Sequence, residues 1–161
     1  MNRQLIDTRF RRDPELNFTH AGARALLQLW HQKRGGRAVL KRADIDVFDL
    51  RDYLPRIIIY EAVGNPPRFR YRLYGTLVSH YSGRDSTGRF LDEIMSPETS
   101  RDYHEILFWI CEGQQPLRTT GTLHYLDRSF VTFESVSLPV STGGGRVDPV
   151  LSAVFYEAHQ A

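Results

Sequence analysis

The stretch that decides the fold reads NPPRFRYRLYGTLVSHYSGRDSTGRFLDEI and covers residues 65–94. Its two prolines have no N–H to donate to a strand ladder, and the preceding Gly64 can adopt the positive φ that a tight reversal needs. The segment just before this turn, RIIIYEAV, is rich in the β-branched and aromatic residues that are typical of strands. We therefore expect residues 57–63 and 68–74 to form an antiparallel hairpin.

The second strand of this hairpin alternates apolar and basic side chains, and neighbouring side chains of a strand point to opposite faces. The apolar residues fall on one face: Phe69, Tyr71 and Leu73. The basic residues fall on the other face: Arg68, Arg70 and Arg72. We expect this arginine face to be solvated and paired with acidic neighbours. The alternative is an anion-binding face.

Short helices and one longer helix should follow the hairpin. Residues 76–83 can form about two helical turns, and the turn GRDSTG separates them from the short apolar segment that follows. In the longer helix Ser96 is the N-cap and Pro97 is the first helical residue. Its apolar stripe has helical spacing and should face the sheet: Tyr103, Ile106, Leu107 and Ile110.

Three long alternating segments complete the chain: PLRTTGTLHYL, SFVTFESVSLPV and PVLSAVFYEA. The short polar connections between them indicate an antiparallel meander. Together with the hairpin, these segments make five antiparallel strands with helices on one face of the sheet. The predicted fold class is therefore α+β.

An amphipathic helix over residues 19–34 precedes this body. Its apolar stripe has helical spacing: Ala23, Leu26, Leu27 and Trp30. The segment before the helix is charged, and we expect that segment to be loose and the helix to be an appendage. The predicted organisation is an N-terminal extension over residues 1–40 and a domain over residues 41–161. The two leucines and the tryptophan of the stripe are the candidate residues of a dimer interface.

Composition and charge exclude several classes of protein. The 161 residues are 41% hydrophobic, which suits one globular domain. The formal net charge is only +2, whereas a dedicated nucleic-acid binder carries a strongly basic face. The single cysteine, Cys111, cannot form an internal disulfide, so we expect a reducing cytoplasm. No apolar run approaches the roughly 18 residues of a membrane span, and we expect no membrane insertion.

This order of elements resembles the PAS domain superfamily, and in particular its compact stand-alone bacterial members. FRYRLYGT, followed by a short helix and by GRDSTGRFLDEI, is similar to the sequence signature of that group, and the resemblance covers about residues 40–158. It implies a five-stranded antiparallel sheet in the order 2-1-5-4-3 with short helices on one face. It also implies a cavity under those helices. Some members of the superfamily hold haem, flavin or a metabolite there, and others hold only side chains.

The candidate cavity residues are seven: Tyr71, Tyr81, Tyr103, His104, Leu107, Trp109 and Thr122. Haem would need an axial ligand, and His104 lies on the helix where haem-binding members carry theirs. Because His104 is one residue off the apolar stripe, we expect a boundary histidine instead. A covalent flavin adduct would need a cysteine within GRDSTGRFLDEI, which contains none. A noncovalent flavin and a small metabolite stay open as ligands, and no metal site is expected.

The sequence contains none of the motifs GxSxG, HExxH and the phosphate-binding P-loop, so we expect no enzyme. The resemblance implies a sensor or interaction module of signal transduction. Such a module dimerises or binds a partner such as a histidine kinase, with or without a small ligand. One alternative is an enzyme or carrier with an NTF2-like α+β cone, although such cones begin with long helices. Another is a cyclic-dinucleotide binder, since Arg68 and Arg72 match half of the motif, but Thr132 replaces a glycine of the other half.

Overall fold

The computed structural model describes residues 5–125, 128–143 and 146–158. The helices in these ranges are α1 (Ala21–Arg34), α2 (Val47–Leu50), α3 (Thr76–Ser82), α4 (Leu91–Ile94) and α5 (Pro97–Gly113). The strands are β1 (Phe10–Asp13), β2 (Leu40–Lys41), β3 (Ile57–Val63), β4 (Arg68–Tyr74), β5 (Leu117–Tyr125), β6 (Arg128–Gly143) and β7 (Arg146–Ala158). Two short 3-10 helices flank α2: Arg42–Asp44 and Leu54–Arg56.

The strands form one sheet in the order β1-β5-β6-β7-β3-β4. In addition, β2 pairs in parallel with the C-terminal part of β6. All other pairs are antiparallel. The five predicted strands are β3 to β7, and they lie side by side as β4-β3-β7-β6-β5. This arrangement confirms the α+β class and the predicted order of those five strands. The sheet differs in detail from the prediction, because β1 and β2 add two strands from the N-terminal extension.

Side chains pack on both faces of the sheet. Helices α3, α4 and α5 cover the inner face, and the predicted stripe of α5 is buried there, with Tyr103 4% exposed and Ile106 0% exposed. Helix α1 covers part of the outer face, where its stripe packs on Leu138 and Leu151. The protein therefore has an inner core under α5 and an outer core under α1.

The N-terminal extension is not loose, which corrects the expectation drawn from its charges. Ile6 donates its backbone N–H to the carbonyl of Ile94 at 2.9 Å and accepts from the N–H of Ser96 at 2.8 Å. Strand β1 then pairs with β5 over four residues. Backbone hydrogen bonds to the rest of the chain, together with the packing of Ile6 and Phe10 against the inner core, thus hold this charged segment against the sheet.

The candidate interface residues on α1 take part in the outer core. Leu26 is 1% exposed and Trp30 is 3% exposed, because both pack on the sheet, whereas Leu27 is half-buried. The indole N–H of Trp30 donates to the carbonyl of Pro139 at 2.9 Å. This packing places Leu26 and Trp30 in the core of the chain, and a role of the stripe in a dimer interface stays a prediction.

The arginine strand β4 contains a β-bulge that the sequence pattern does not reveal. Between Tyr71 and Leu73 this strand advances by two residues while β3 advances by one, which leaves Arg72 as the extra residue. As a result Leu73 packs against the outer core, and not beside Phe69 as predicted, whereas Tyr74 turns into the inner core. The predicted alternation holds only as far as the bulge.

Two arginines of β4 are paired with acidic residues, as predicted. Arg68 donates two hydrogen bonds to the carboxylate of Asp92, at 2.9 and 2.7 Å, and its guanidinium lies 3.8 Å from the ring centre of Phe90. Arg70 donates to Glu61 at 2.7 Å. Since the guanidinium groups of Arg68 and Arg70 are already engaged, the geometry favours the predicted paired face over an anion-binding face.

Candidate ligand cavity

A small cavity lies between the inner face of the sheet and helices α3 and α5. Its volume is about 70 Å³. The tyrosines of its wall come from β3, β4, β7 and α5: Tyr60, Tyr71, Tyr74, Tyr103 and Tyr156. Ile6 and Phe10 of the N-terminal extension also line it. The cavity lies where the resemblance implied it, and side chains fill most of the space between α5 and the sheet.

Hydrogen bonds and ring contacts hold the tyrosines of the wall in place. The hydroxyl of Tyr60 donates to that of Tyr103 at 3.1 Å, and the hydroxyl of Tyr74 donates to Ser82 Oγ at 2.8 Å. The ring centres of Tyr60 and Tyr71 are 5.2 Å apart, within the range of favourable aromatic pairs. Burial raises the pKa of Tyr60 and the pKa of Tyr71 well above the usual value. These phenols are therefore neutral at physiological pH.

The structure brings together four of the seven predicted cavity residues. Tyr71 and Tyr103 line the cavity, and Leu107 is fully buried in the inner core. Tyr81 lies beside the cavity, where its ring stacks on that of Tyr156 with the centres 4.2 Å apart. A role of these side chains as ligand contacts stays a prediction.

Three of the predicted cavity residues lie elsewhere. Trp109 lies outside the buried stripe of α5, on the side of the helix that faces solvent, and it is 39% exposed. Thr122 lies on the outer face of the sheet, since it alternates in step with Arg118 along β5. His104 Nε2 donates to the carbonyl of Pro67 in the turn between β3 and β4 at 2.7 Å. The histidine is thus directed at this turn, and its geometry does not fit axial ligation of a haem in the cavity.

Several residues of the site were not predicted, among them Tyr60, Tyr74 and Ser82. The alternation of RIIIYEAV could have revealed Tyr60, because Ile58 and Tyr60 share the inner face of β3. No sequence signal marks Tyr74, which the bulge in β4 turns inward. Ser82 ends α3, and only the tertiary contact with Tyr74 makes it part of the wall.

The cavity is small for an organic cofactor. Pockets for drug-sized ligands typically measure roughly 300–1,000 Å³, whereas a single water needs roughly 10–15 Å³. A volume of about 70 Å³ therefore accommodates water or a very small molecule. A haem or a flavin does not fit unless the tyrosines of the wall move.

The groups of the site are mainly phenol and hydroxyl groups, which can form hydrogen bonds. Within the described ranges no cluster of His, Cys, Asp and Glu side chains could hold a metal ion. Burial raises the pKa of the Cys111 thiol to about 12, so this thiol is protonated at physiological pH. The neutral phenols of the wall can each donate one hydrogen bond and accept others.

Replacing Tyr103 with phenylalanine should lower the free energy of unfolding by about 1–3 kcal/mol. The hydroxyl of Tyr60 would then lose its acceptor in a fully buried setting. Urea unfolding followed by far-ultraviolet circular dichroism measures the change. Tyr81→Phe is the matched control, because Tyr81 is only half-buried, and its effect should stay below about 0.5 kcal/mol. An equal loss in both variants would contradict the role of this hydrogen bond.

The antiparallel sheet, the strand order and the cavity under short helices define a class of sensory domain. Residues 18–154 match the family model described as PAS domain, and the chain belongs to this family. The match includes helix α1 and begins after strand β1. The comparisons with curated proteins and with solved structures find no match. Because the chain belongs to the PAS family, its fold is not the NTF2-like cone that the sequence left as an alternative.

Proposed function

We propose that this PAS domain is a cytoplasmic signalling module of bacteria whose output is a contact with another protein. That protein is a second copy of the chain or a signalling partner such as a histidine kinase. PAS domains are generally sensory, non-catalytic modules. The observation that carries the proposal is the inner cavity, which the tyrosines reduce to about 70 Å³. Because the cavity has so little room for a cofactor, we expect the domain to transmit its signal through contacts of its surface with another protein.

Two pairs of exposed apolar residues support an output through the surface. Val47 and Phe48 of α2 are 67% and 75% exposed. Phe108 and Trp109 of α5 are 45% and 39% exposed. Adjacent apolar side chains on a surface are typical of interaction sites. No helix of the described ranges combines the length and the hydrophobicity that crossing a bilayer requires.

A sensor of a very small polar molecule is the second candidate. The wall of the cavity contains hydroxyl groups, among them those of Tyr74 and Ser82, which could reorient toward such a molecule. Ile6 and Phe10 lie over the cavity and belong to the segment that precedes the family match. A molecule of more than a few non-hydrogen atoms would have to displace these two side chains.

Native mass spectrometry of the freshly purified chain, together with its near-ultraviolet and visible absorbance spectrum, tests the proposal. We expect the mass of the chain alone, or a multiple of it, and no visible absorption band. An added mass that survives gentle ionisation, or a visible band, would contradict the filled cavity. That result would make the domain a ligand sensor.

A further inference from the structure

Residues 6–13, here called the strap, close one side of the inner cavity. The side chains of Ile6 and Phe10 line the cavity, and the ring centre of Phe10 lies 4.6 Å from that of Tyr103 on α5. The strap precedes the segment that matches the family model, which begins at residue 18. The inner core of this chain is therefore completed by a segment that the family match does not include.

The strap is attached to the body at two places. Its first part lies at the start of α5, where Ile6 makes two backbone hydrogen bonds and the N–H of Thr8 donates to Thr99 Oγ1 at 3.1 Å. Its second part is β1, which pairs with β5 over four residues, and Arg12 of β1 donates to Asp102 of α5 at 2.9 Å. These contacts join the strap to residues that are far away in the sequence. The strap of a second copy could therefore make the same contacts.

A tight turn over residues 14–17 joins the strap to the body. Leu16 in this turn has a φ of 61°, a left-handed conformation that is unfavourable for a residue with a side chain. The carboxylate of Asp13 opposes the strain, because it accepts hydrogen bonds from the N–H groups of Glu15 and Asn17 at 3.1 and 2.9 Å. Hydrogen bonds thus hold the turn closed against the strain at Leu16.

An extended turn would release this strain and carry the strap away from its own body. If the turns of two copies open, each strap can bind the site that the other has left. The contacts of the strap are the same in both arrangements, so they cancel, and the balance depends on the turns and on the entropy of association. Glu15 and Asn17 are exposed, so water can replace the hydrogen bonds that an open turn loses. Release of two strained leucines therefore favours the exchanged dimer.

The geometry of the turn allows this exchange. The N–H of Leu16 donates to the carbonyl of Asp13 at 3.3 Å, and the N–H of Phe18 donates to the carbonyl of Leu16 at 2.9 Å. The start of the body at Phe18 thus lies close to the site that β1 occupies. Five extended residues span roughly 17 Å. A two-fold axis beside the turn therefore places the β1 site of each copy within reach of the strap of the other.

We propose that the strap is exchanged between two copies of this chain, so that Ile6 and Phe10 of each copy complete the inner cavity of the other. The interface is the edge of β5 together with the start of α5, and its occupant is residues 6–13 of a second copy. The inference rests on the proposed output through a protein contact and makes the second copy the partner. A change in the inner core that loosens the straps then alters the dimer, which links the cavity to the output.

A pair of cysteines across the sheet distinguishes an exchanged strap from a closed one. Arg11 of β1 is paired with Thr120 of β5, and directly opposite residues of antiparallel strands are close enough for a disulfide. Arg11→Cys is combined with Thr120→Cys in a Cys111→Ala background, and the purified dimer is oxidised. We expect a disulfide-linked dimer on a non-reducing gel, because the disulfide joins two copies only when the strap is exchanged.

Thr122→Cys combined with Thr132→Cys in the same background is the control. These two positions are opposite each other on β5 and β6 of one body, so their disulfide should stay within one chain. We expect this variant to migrate as a monomer on the gel after the same oxidation. A disulfide within one chain in the Arg11→Cys, Thr120→Cys variant would overturn the exchange.

Leu16→Gly should weaken the dimer about tenfold or more, because glycine adopts a positive φ without strain and the closed turn becomes more stable in both copies. Light scattering after size-exclusion chromatography over a range of concentrations measures the change. Leu16→Ala is the matched control, because it also removes the packing of Leu16 on the outer core but keeps the strain. An equal weakening in both variants would contradict the role of the turn.

The tests of the strap and of the proposed function fail in different ways. A dimer whose disulfide stays within one chain would form through another surface, which overturns the exchange and leaves the proposed function in place. A chain that stays monomeric at high concentration would also overturn the exchange and leave a signalling partner as the output. A cofactor found by native mass spectrometry would contradict the filled cavity, whereas the cysteine pairs would still report on the strap.

Discussion

Replacing Trp30 with alanine should lower the free energy of unfolding by about 3–5 kcal/mol. Trp30 is 3% exposed, and it packs in the outer core between α1 and the sheet. The substitution removes a large apolar surface from the core and also the hydrogen bond from the indole to the carbonyl of Pro139. Folded domains are typically stable by only about 5–15 kcal/mol, so this loss would be a large share of the total.

Trp109→Ala is the matched control for this change. It removes the same side chain from an exposed position on α5, and alanine favours helix, so we expect a change within about 0.5 kcal/mol. Urea unfolding of both variants, followed by far-ultraviolet circular dichroism, provides the comparison. If Trp30→Ala instead dissociated a dimer and left the unfolding midpoint unchanged, α1 would be an interface helix and not a part of the core.

Glu134→Ala should lower the free energy of unfolding by about 3 kcal/mol. Glu134 on β6 is 7% exposed and joins the start of α1 to the sheet. It accepts hydrogen bonds from the backbone N–H groups of Thr19 and His20, at 3.0 and 2.9 Å, and from Arg118 Nε at 2.8 Å. Its removal leaves these donors without this acceptor, although Arg118 retains an ion pair with Asp13 at 3.2 Å.

The contribution of Glu134 should also depend on pH. Burial acts to raise the pKa of this carboxyl, but hydrogen bonds from Thr19, His20 and Arg118 outweigh burial and lower the pKa below its usual value. A group with a lowered pKa in the folded state stabilises the protein fully above its unfolded pKa of about 4.3. That stabilisation is lost as the pH falls from there through the folded pKa.

Glu134→Gln isolates this titration, because it keeps the shape of the side chain and removes its charge. The difference in unfolding free energy between the wild type and this variant should be constant from neutral pH down to about 5 and should shrink below about 4.3. Urea midpoints measured over this range provide the test. A difference that grows as the pH falls would mean that folding raises the pKa of this carboxyl instead of lowering it.

The sequence predicted the hairpin and the stripe of α5 because both depend on local patterns. The glycine and proline residues of the turn mark the reversal between β3 and β4, and helical spacing marks the buried side of α5. Pairing of Arg68 and Arg70 with acids was also predictable, since charged side chains on an exposed strand face seldom stay alone. These features need no knowledge of what lies far away in the chain.

Features of the site that depend on register could not be predicted in this way. The bulge at Arg72 exchanges the faces of Leu73 and Tyr74, and one extra residue in a strand reverses every later side chain. Trp109 and Thr122 were expected to line the cavity on the strength of residue type. Their positions on α5 and β5 direct them away from it.

The sequence by itself determined the PAS architecture, because periodicity and turn residues set the elements and their order. Only the tertiary structure decided the size of the cavity and the place of the N-terminal extension. The charged segment around Ile6 joins the body through backbone hydrogen bonds, which any residue type can make, and through the packing of Ile6 and Phe10 on residues that are distant in the sequence. The cavity volume is the small difference between the space under α5 and the side chains that fill it, so a shift of one tyrosine changes it.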